Sequence, residues 1–158
     1  MSGRLLGRAE LVGLLEDLGA EAERRGVRVD MFLVGGGAIT LAYNDQRTTG
    51  DLDAVFEPTA VVREIAETVA RRRTDLTLPA DWLNDAVKGF LPGNDPNATV
   101  LYDTPHLTVS VASPSYLFVL KAIAARESDE DDLRLLWPLC GFTDASDALD
   151  TIERAYPR

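Results

Sequence analysis

Over 8–25, Leu11, Leu14, Leu15, Leu18 and Ala22 recur three and four positions apart, the spacing that lines one face of an α-helix, and Gly26 closes the pattern. The period then changes. Over 27–34, Val29, Met31 and Leu33 alternate with Arg28, Asp30 and Phe32, which predicts a strand. Three glycines at 35–37 break the run, and a short helix is expected over 38–43. Residues 51–56 read as a second strand, polar at its start and apolar at its end. A helix is predicted over 59–73, with Val61, Ile65 and Val69 on one face, followed by a short strand over 75–78 and a helical turn over 81–88. A loop rich in Pro, Gly and Asn then spans 91–97, ahead of strands over 99–102 and 107–111. Ser113-Pro114 is a helix start, a hydroxyl cap followed by a proline whose missing N–H costs nothing in a first turn. That helix should run to about 125, and two more are expected over 129–139 and 144–156.

No repeat, low-complexity tract or linker divides this order. It predicts one mixed α/β (α+β) domain over 1–158, with a core over about 8–112 and a helical C-terminal third over about 113–158. Hydrophobic residues make up 46% and charged residues 27%, which places the chain among ordered globular proteins rather than disordered ones. No stretch approaches the roughly 20 apolar residues of a membrane span, and the apolar run from Tyr116 is broken by Lys121. The first residues carry basic side chains without an apolar core of signal-peptide length, so neither a leader nor a membrane partner is expected. Cys140 is the only cysteine and His106 the only histidine; they cannot form an internal disulfide or a zinc site, and a reducing cytoplasm fits.

The formal charge of −10 argues against binding free nucleic acid by bulk electrostatics. Basic clusters do occur at Arg24, Arg25 and Arg28, and at Arg71, Arg72 and Arg73. They read either as solvated helix ends, where cations suit the dipole, or as a substrate-binding patch. Part of the acidic charge fits a metal site.

The chemistry concentrates in 32–56: strand, three glycines, short helix, Arg47-Thr48-Thr49-Gly50, then Asp51-Leu52-Asp53 opening a strand. Glycines between a strand and a helix let backbone approach a phosphate closely, and a helix N-terminus offers free N–H groups and a positive dipole end. Residues i and i+2 of a strand share one side roughly 7 Å apart, so Asp51 and Asp53 converge while Leu52 turns to the core. Two carboxylates so placed repel unless a cation lies between them, and Mg²⁺ or Mn²⁺ bridging triphosphate oxygens is the natural occupant. The combination describes phosphoryl or nucleotidyl transfer from a nucleoside triphosphate. Each half alone also occurs as a plain turn or a solvated strand start.

The residues Leu33-Val34-Gly35-Gly36-Gly37-Ala38 and Arg47-Thr48-Thr49-Gly50-Asp51-Leu52-Asp53 resemble the first motif of polymerase-β-type nucleotidyltransferases. More closely they resemble the AbiEii/MenT-like toxins, whose pattern is Gly-Gly-x-Ala, Arg-x-Thr and Asp-x-Asp in that order. Trp82-Leu83-Asn84-Asp85 and the stretch 121–133 extend the resemblance over most of the chain. It implies a polymerase-β-like core, a mixed sheet flanked by helices. It also implies that Gly35, Gly36, Arg47 and Thr49 bind the nucleotide, that Asp51 and Asp53 bind metal, and that Lys121 contacts phosphate. Arg126, Asp129 and Asp132 match the family's Arg-x-x-Asp-x-x-Asp stretch, with Arg126 read either as a nucleotide-binding phosphate clamp or as a partner of those acids. Trp82 and Asn84 read as packing and capping residues. One departure stands out: the family usually carries a third carboxylate on a later strand, whereas 107–111 has Thr108 or Ser110 in its place, so that either Asp132 supplies the acid from a helix, or the enzyme works with one metal, or it is inactive.

The expectation is therefore a metal-dependent nucleotidyltransferase whose acceptor, as the resemblance implies, is the tRNA 3′ end. The protein would then be the toxin of a toxin–antitoxin pair with a cognate antitoxin. A protein-modifying (AMPylase-like) enzyme suits the acidic surface, and a degenerate nucleotide-binding or interaction module suits the missing acid.

Overall fold

The computed structural model describes residues 5–157, which fall into two compact units. Residues 5–89 with Thr99–Val111 form the first, and Phe90–Ala98 with 112–157 the second.

The first unit is built on a five-stranded mixed sheet. Helix α1 (Arg8–Arg25) is closed by Gly26 at a left-handed φ of 67°, where the Val27 N–H also returns to the Ala22 carbonyl. That cap delays β1 (Val29–Val34) by two residues relative to the alternation in the sequence. Helix α2 (Gly35–Ala42), β2 (Leu52–Glu57), α3 (Thr59–Arg72), β3 (Leu83–Asn84), β4 (Thr99–Asp103) and β5 (Leu107–Val111) follow, and the sheet order is β3-β2-β1-β5-β4. β1 is antiparallel to β2 and parallel to β5, β2 is parallel to β3, and β4 is antiparallel to β5.

One face of the sheet carries Val29, Met31, Leu33, Leu52, Ala54, Phe56, Leu107, Val109 and Val111, all buried, with α1 and α3 packed on it. The opposite face carries Asp30, Phe32, Asp53, Val55, Thr108 and Ser110, aligned by register and at least partly exposed. Buried Glu21 clamps the two helices. Its carboxylate takes Arg24 at 3.1 Å and Arg25 at 3.1 Å from α1, and Arg72 at 2.8 Å from α3. Part of each basic cluster is thus committed to a helix–helix contact.

Three local expectations are corrected. The helix after β1 begins at Gly35 rather than at 38, because these glycines lie tightly against β2 and the backbone coils where side chains would not fit. Residues 75–78 form a turn, not a strand: the Leu76 N–H returns to the Arg73 carbonyl at 3.1 Å, Arg73 binds Asp75, and Leu76 is buried. Within 81–88, Leu83–Asn84 join the edge of β2, and only Ala86–Phe90 coil, as a 3₁₀ turn. The deciding bond is Leu52 N–H to the Trp82 carbonyl at 2.6 Å, a tertiary contact that local propensity does not record.

The second unit holds α4 (Pro114–Ala124), α5 (Glu130–Leu136) and α6 (Ala145–Ala155). Ser113 caps α4, and Asp95 accepts from the Ser113 N–H at 2.6 Å and its hydroxyl at 3.0 Å. The Tyr116 hydroxyl donates to the Gly93 carbonyl and that of Tyr156 to the Phe90 carbonyl, fastening 90–98 to these helices. The helix expected over 129–139 divides into the turn Glu127–Asp129, α5 and the turn Trp137–Leu139, where Pro138 lacks the N–H that would continue α5. Phe118, Trp137 and Phe142 pack ring against ring beside them. Burial pushes the Cys140 thiol up to about 11, so it stays protonated at neutral pH. Among the described residues no helix is long and apolar enough to cross a membrane.

Candidate active site

The end of β1, the first turn of α2 and the start of β2 meet at one corner of the sheet. Val34 lies opposite Asp53 in the β1–β2 register. The next residue, Gly35, has a φ of 70°, and a Cβ there would stand 2.7 Å from Asp53 Oδ2. Gly36 lies under the Arg47 guanidinium, whose nitrogens would be 2.5 and 2.7 Å from a Cβ at that position. Gly37 packs on the Leu52 side chain. Absence of a Cβ at 35–37 therefore brings the helix N-terminus onto the strand that carries the acids.

Leu52 is fully buried while Asp51 and Asp53 are half-buried, so the two acids flank an inward-facing anchor and share the other side. They are close enough to feel each other. The Asp51 carboxyl is held above the usual carboxylate range, first by burial, then by the charges of Asp53 and Asp81, against a hydrogen bond from the Asn84 side chain. Asp81 and Asn84 reach the site through β3. Sequence reasoning passed over Asp81 and assigned Asn84 to capping, because a strand only two residues long leaves almost no alternation to detect.

Thr49 is buried; its backbone pairs in both directions with Leu6, at 2.7 and 2.9 Å, and its hydroxyl donates to the Asp51 carbonyl at 3.2 Å. It fixes the approach to the acids. Arg47 Nη1 donates to the Thr48 carbonyl at 3.0 Å, which holds the guanidinium near the glycines. On β5, Thr108 donates to Asp103 and accepts from Arg28, and Ser110 lies beside Phe32.

The donor set suits a hard divalent cation. Asp51 and Asp53 supply carboxylate oxygens that repel each other in a partly desolvated corner, the situation a cation reverses. Among the described residues no three acids, histidines or cysteines form a metal-ligating group. The remaining ligands of such an ion would come from water and phosphate, the usual arrangement for Mg²⁺ in phosphate-handling sites.

A family model described as "Nucleotidyltransferase of unknown function (DUF6036)" matches residues 9–136. The chain belongs to that nucleotidyltransferase family. Neither a curated protein nor a solved structure matches it.

The match takes in both the glycine corner and the Lys121 region of this nucleotidyltransferase family member. Lys121, in the second unit, is buried and its ammonium is occupied: Nζ lies 2.7 Å from Asp129 Oδ1 and 3.0 Å from Asp132 Oδ2. Arg126, two-thirds exposed, binds the other Asp129 oxygen at 2.9 Å. Burial acts to raise the Asp129 carboxyl, but hydrogen bonds from Lys121 and Arg126 outweigh it and hold the group below its usual range. The structure thus gathers Gly35, Gly36, Arg47, Thr49, Asp51 and Asp53 in the first unit, and Lys121, Arg126, Asp129 and Asp132 around one another in the second.

Proposed function

We propose that this chain is a metal-dependent nucleotidyltransferase that moves a nucleoside monophosphate from a nucleoside triphosphate to an acceptor hydroxyl. Following the resemblance to AbiEii/MenT-like toxins, the acceptor is the 3′ end of tRNA and the protein is the toxin of a toxin–antitoxin pair. The observation that carries the proposal is Asp53 standing against Gly35 at a helix N-terminus, with Asp51 near enough for the two carboxyls to interact and Arg47 over Gly36.

The backbone N–H groups of the first turn of α2 would receive triphosphate oxygens, and the Arg47 guanidinium over Gly36 would add a fixed positive charge. Mg²⁺ or Mn²⁺ on Asp51 and Asp53, when bound, would neutralise charge on the triphosphate and its leaving group. The acceptor oxygen forms a bond to the α-phosphorus, the bond from that phosphorus to the β-bridging oxygen breaks, pyrophosphate departs, and the hydroxyl proton passes to solvent. Catalysis on this scheme comes from positioning and charge neutralisation.

Incubation with each labelled triphosphate, Mg²⁺ and a total cell lysate, followed by separation of RNA from protein, tests the proposal. Label in tRNA that is lost in Asp51→Ala is the expected result. The net charge of −10 favours a second reading in which a Ser, Thr or Tyr hydroxyl of a protein is the acceptor, and label would then appear in the protein fraction. Absence of label in both fractions with every nucleotide removes the enzymatic reading and leaves a nucleotide-binding module.

A further inference from the structure

Residues 43–50 join α2 to β2 without forming a helix or a strand, yet this segment carries Arg47, whose guanidinium lies over Gly36. A connection of this kind holds a long side chain in one place only through contacts with neighbouring elements. Both ends of the segment are tied to residues 6–8, where the chain enters α1.

At the β2 end, Leu6 is fully buried and pairs through its backbone in both directions with Thr49, whose hydroxyl goes on to the Asp51 carbonyl. At the α2 end, Arg8 Nε donates to the Thr40 carbonyl at 2.9 Å. Helix α2 leaves that carbonyl to others: the Asn44 N–H, which would take it in a continuing helix, bonds instead to the Ile39 carbonyl at 2.8 Å. Thr40 is fully buried, and its hydroxyl donates to the Gly36 carbonyl at 3.1 Å, so the residue that Arg8 holds is bonded to the glycine corner. A cation is locally unfavourable in the first turn of α1, but favourable at the C-terminal end of α2, which is where the Arg8 head group lies. The approach of Arg8 to Asp45, 3.8 Å between side chains 37% and 60% exposed, adds little. The bond to Thr40 is the stronger tie.

We propose that Arg8 is a positioning residue for nucleotide binding: it holds the end of α2 so that the segment closed by the Leu6–Thr49 pair presents the Arg47 guanidinium to a triphosphate over Gly36. The proposal rests on the nucleotide-binding reading of the glycine corner above. Arg8 itself touches no nucleotide on this scheme and acts through Arg47.

A double-mutant cycle with Arg47 tests it. Binding of the α,β-methylene analogue of each common ribonucleoside triphosphate to the purified full chain is measured by calorimetry with Mg²⁺, and thermal melts are recorded in parallel. Arg47→Ala should weaken binding about 10–100-fold, the loss of one charge-assisted contact. Arg8→Met, which keeps the stem without the donor, should weaken it about 3–30-fold alone and cause no further loss in the Arg47→Ala background. Arg8→Lys, which retains charge and a donor, should recover most of the affinity. Arg8→Ala completes the same cycle if the methionine variant fails to fold. Affinity unchanged by Arg8→Met, or an equal loss with and without Arg47, would make Arg8 a structural residue, and overturns the proposal while leaving the nucleotide site intact. Arg47→Ala binding like wild type removes the group through which Arg8 acts and overturns the proposal as well. A wild-type chain that binds none of the analogues removes the nucleotide reading and this proposal with it.

Discussion

Replacing Gly35 with alanine should damage the acid pair more than the fold. Two costs are visible. Residue 35 has a φ of 70°, in the left-handed region, where a residue with a Cβ loses roughly 1–2 kcal/mol. The new methyl would also stand 2.7 Å from Asp53 Oδ2 and 3.4 Å from Asp53 Cβ. The carboxylate is the softer side of that clash, and swinging it out of its rotamer costs about 0.5–1.5 kcal/mol. Together these give about 1.5–3.5 kcal/mol, a fall in Tm of roughly 3–14 °C for a chain of this size. Because the clash is relieved by moving Asp53, nucleotide transfer should fall further than stability, about 100-fold for a displacement near 1 Å. Circular dichroism melts and label incorporation, run side by side, measure the two effects. Gly50→Ala is the stability control, since a Cβ there meets nothing within 4 Å and its φ lies outside the strained region; it should stay within about 0.5 kcal/mol of wild type. A Gly35→Ala protein that melts and transfers nucleotide like wild type would refute the packing argument for the glycine corner.

Asp51→Asn should raise stability at neutral pH while abolishing transfer. An acid raised in the folded state subtracts stability once pH exceeds its unfolded value, and Asp51 is raised by burial, Asp53 and Asp81. The gain should therefore fade as pH falls through the raised folded value toward 3.8 and be gone below it, and a gain that is flat across a pH series of thermal melts would contradict this account. Lys121→Met leaves Asp129 and Asp132, both buried, without their shared cation, and should cost about 3–5 kcal/mol in denaturant unfolding at pH 7. Asp129 is depressed, so its contribution is present above 3.8 and lost as pH falls through its lower folded value. The variant's deficit should shrink over that range, and wild-type stability at pH 7 would refute the buried-pair reading.

The long elements were legible because their signals are local. The repeat of Leu11, Leu14, Leu15 and Leu18 and the alternation of Val29, Met31 and Leu33 are set by side-chain period, and both groups are buried as that period requires. The cap at Ser113 and the stop at Gly26 follow from one residue's chemistry and also appear where expected. Asp51 and Asp53 share a side because strands alternate, whatever the rest of the chain does.

Distant contacts decided the rest. Leu83–Asn84 became a strand because the edge of β2 offered unpaired backbone at Leu52, and no propensity in a two-residue segment competes with that. With β3 came Asp81 and Asn84, some thirty residues from the acids in sequence and beside Asp51 in space. The glycines at 35–37 look like a helix break by composition, yet they open α2, because close approach to Asp53 and Leu52 outweighs the modest helix penalty of glycine. Lys121 carries its charge in the sequence, but only folding showed that charge taken up by Asp129 and Asp132. Periodicity and capping act within a few residues and are written along the chain. Sheet edges, close approaches and buried ion pairs join residues whose separation in sequence carries no trace of their meeting.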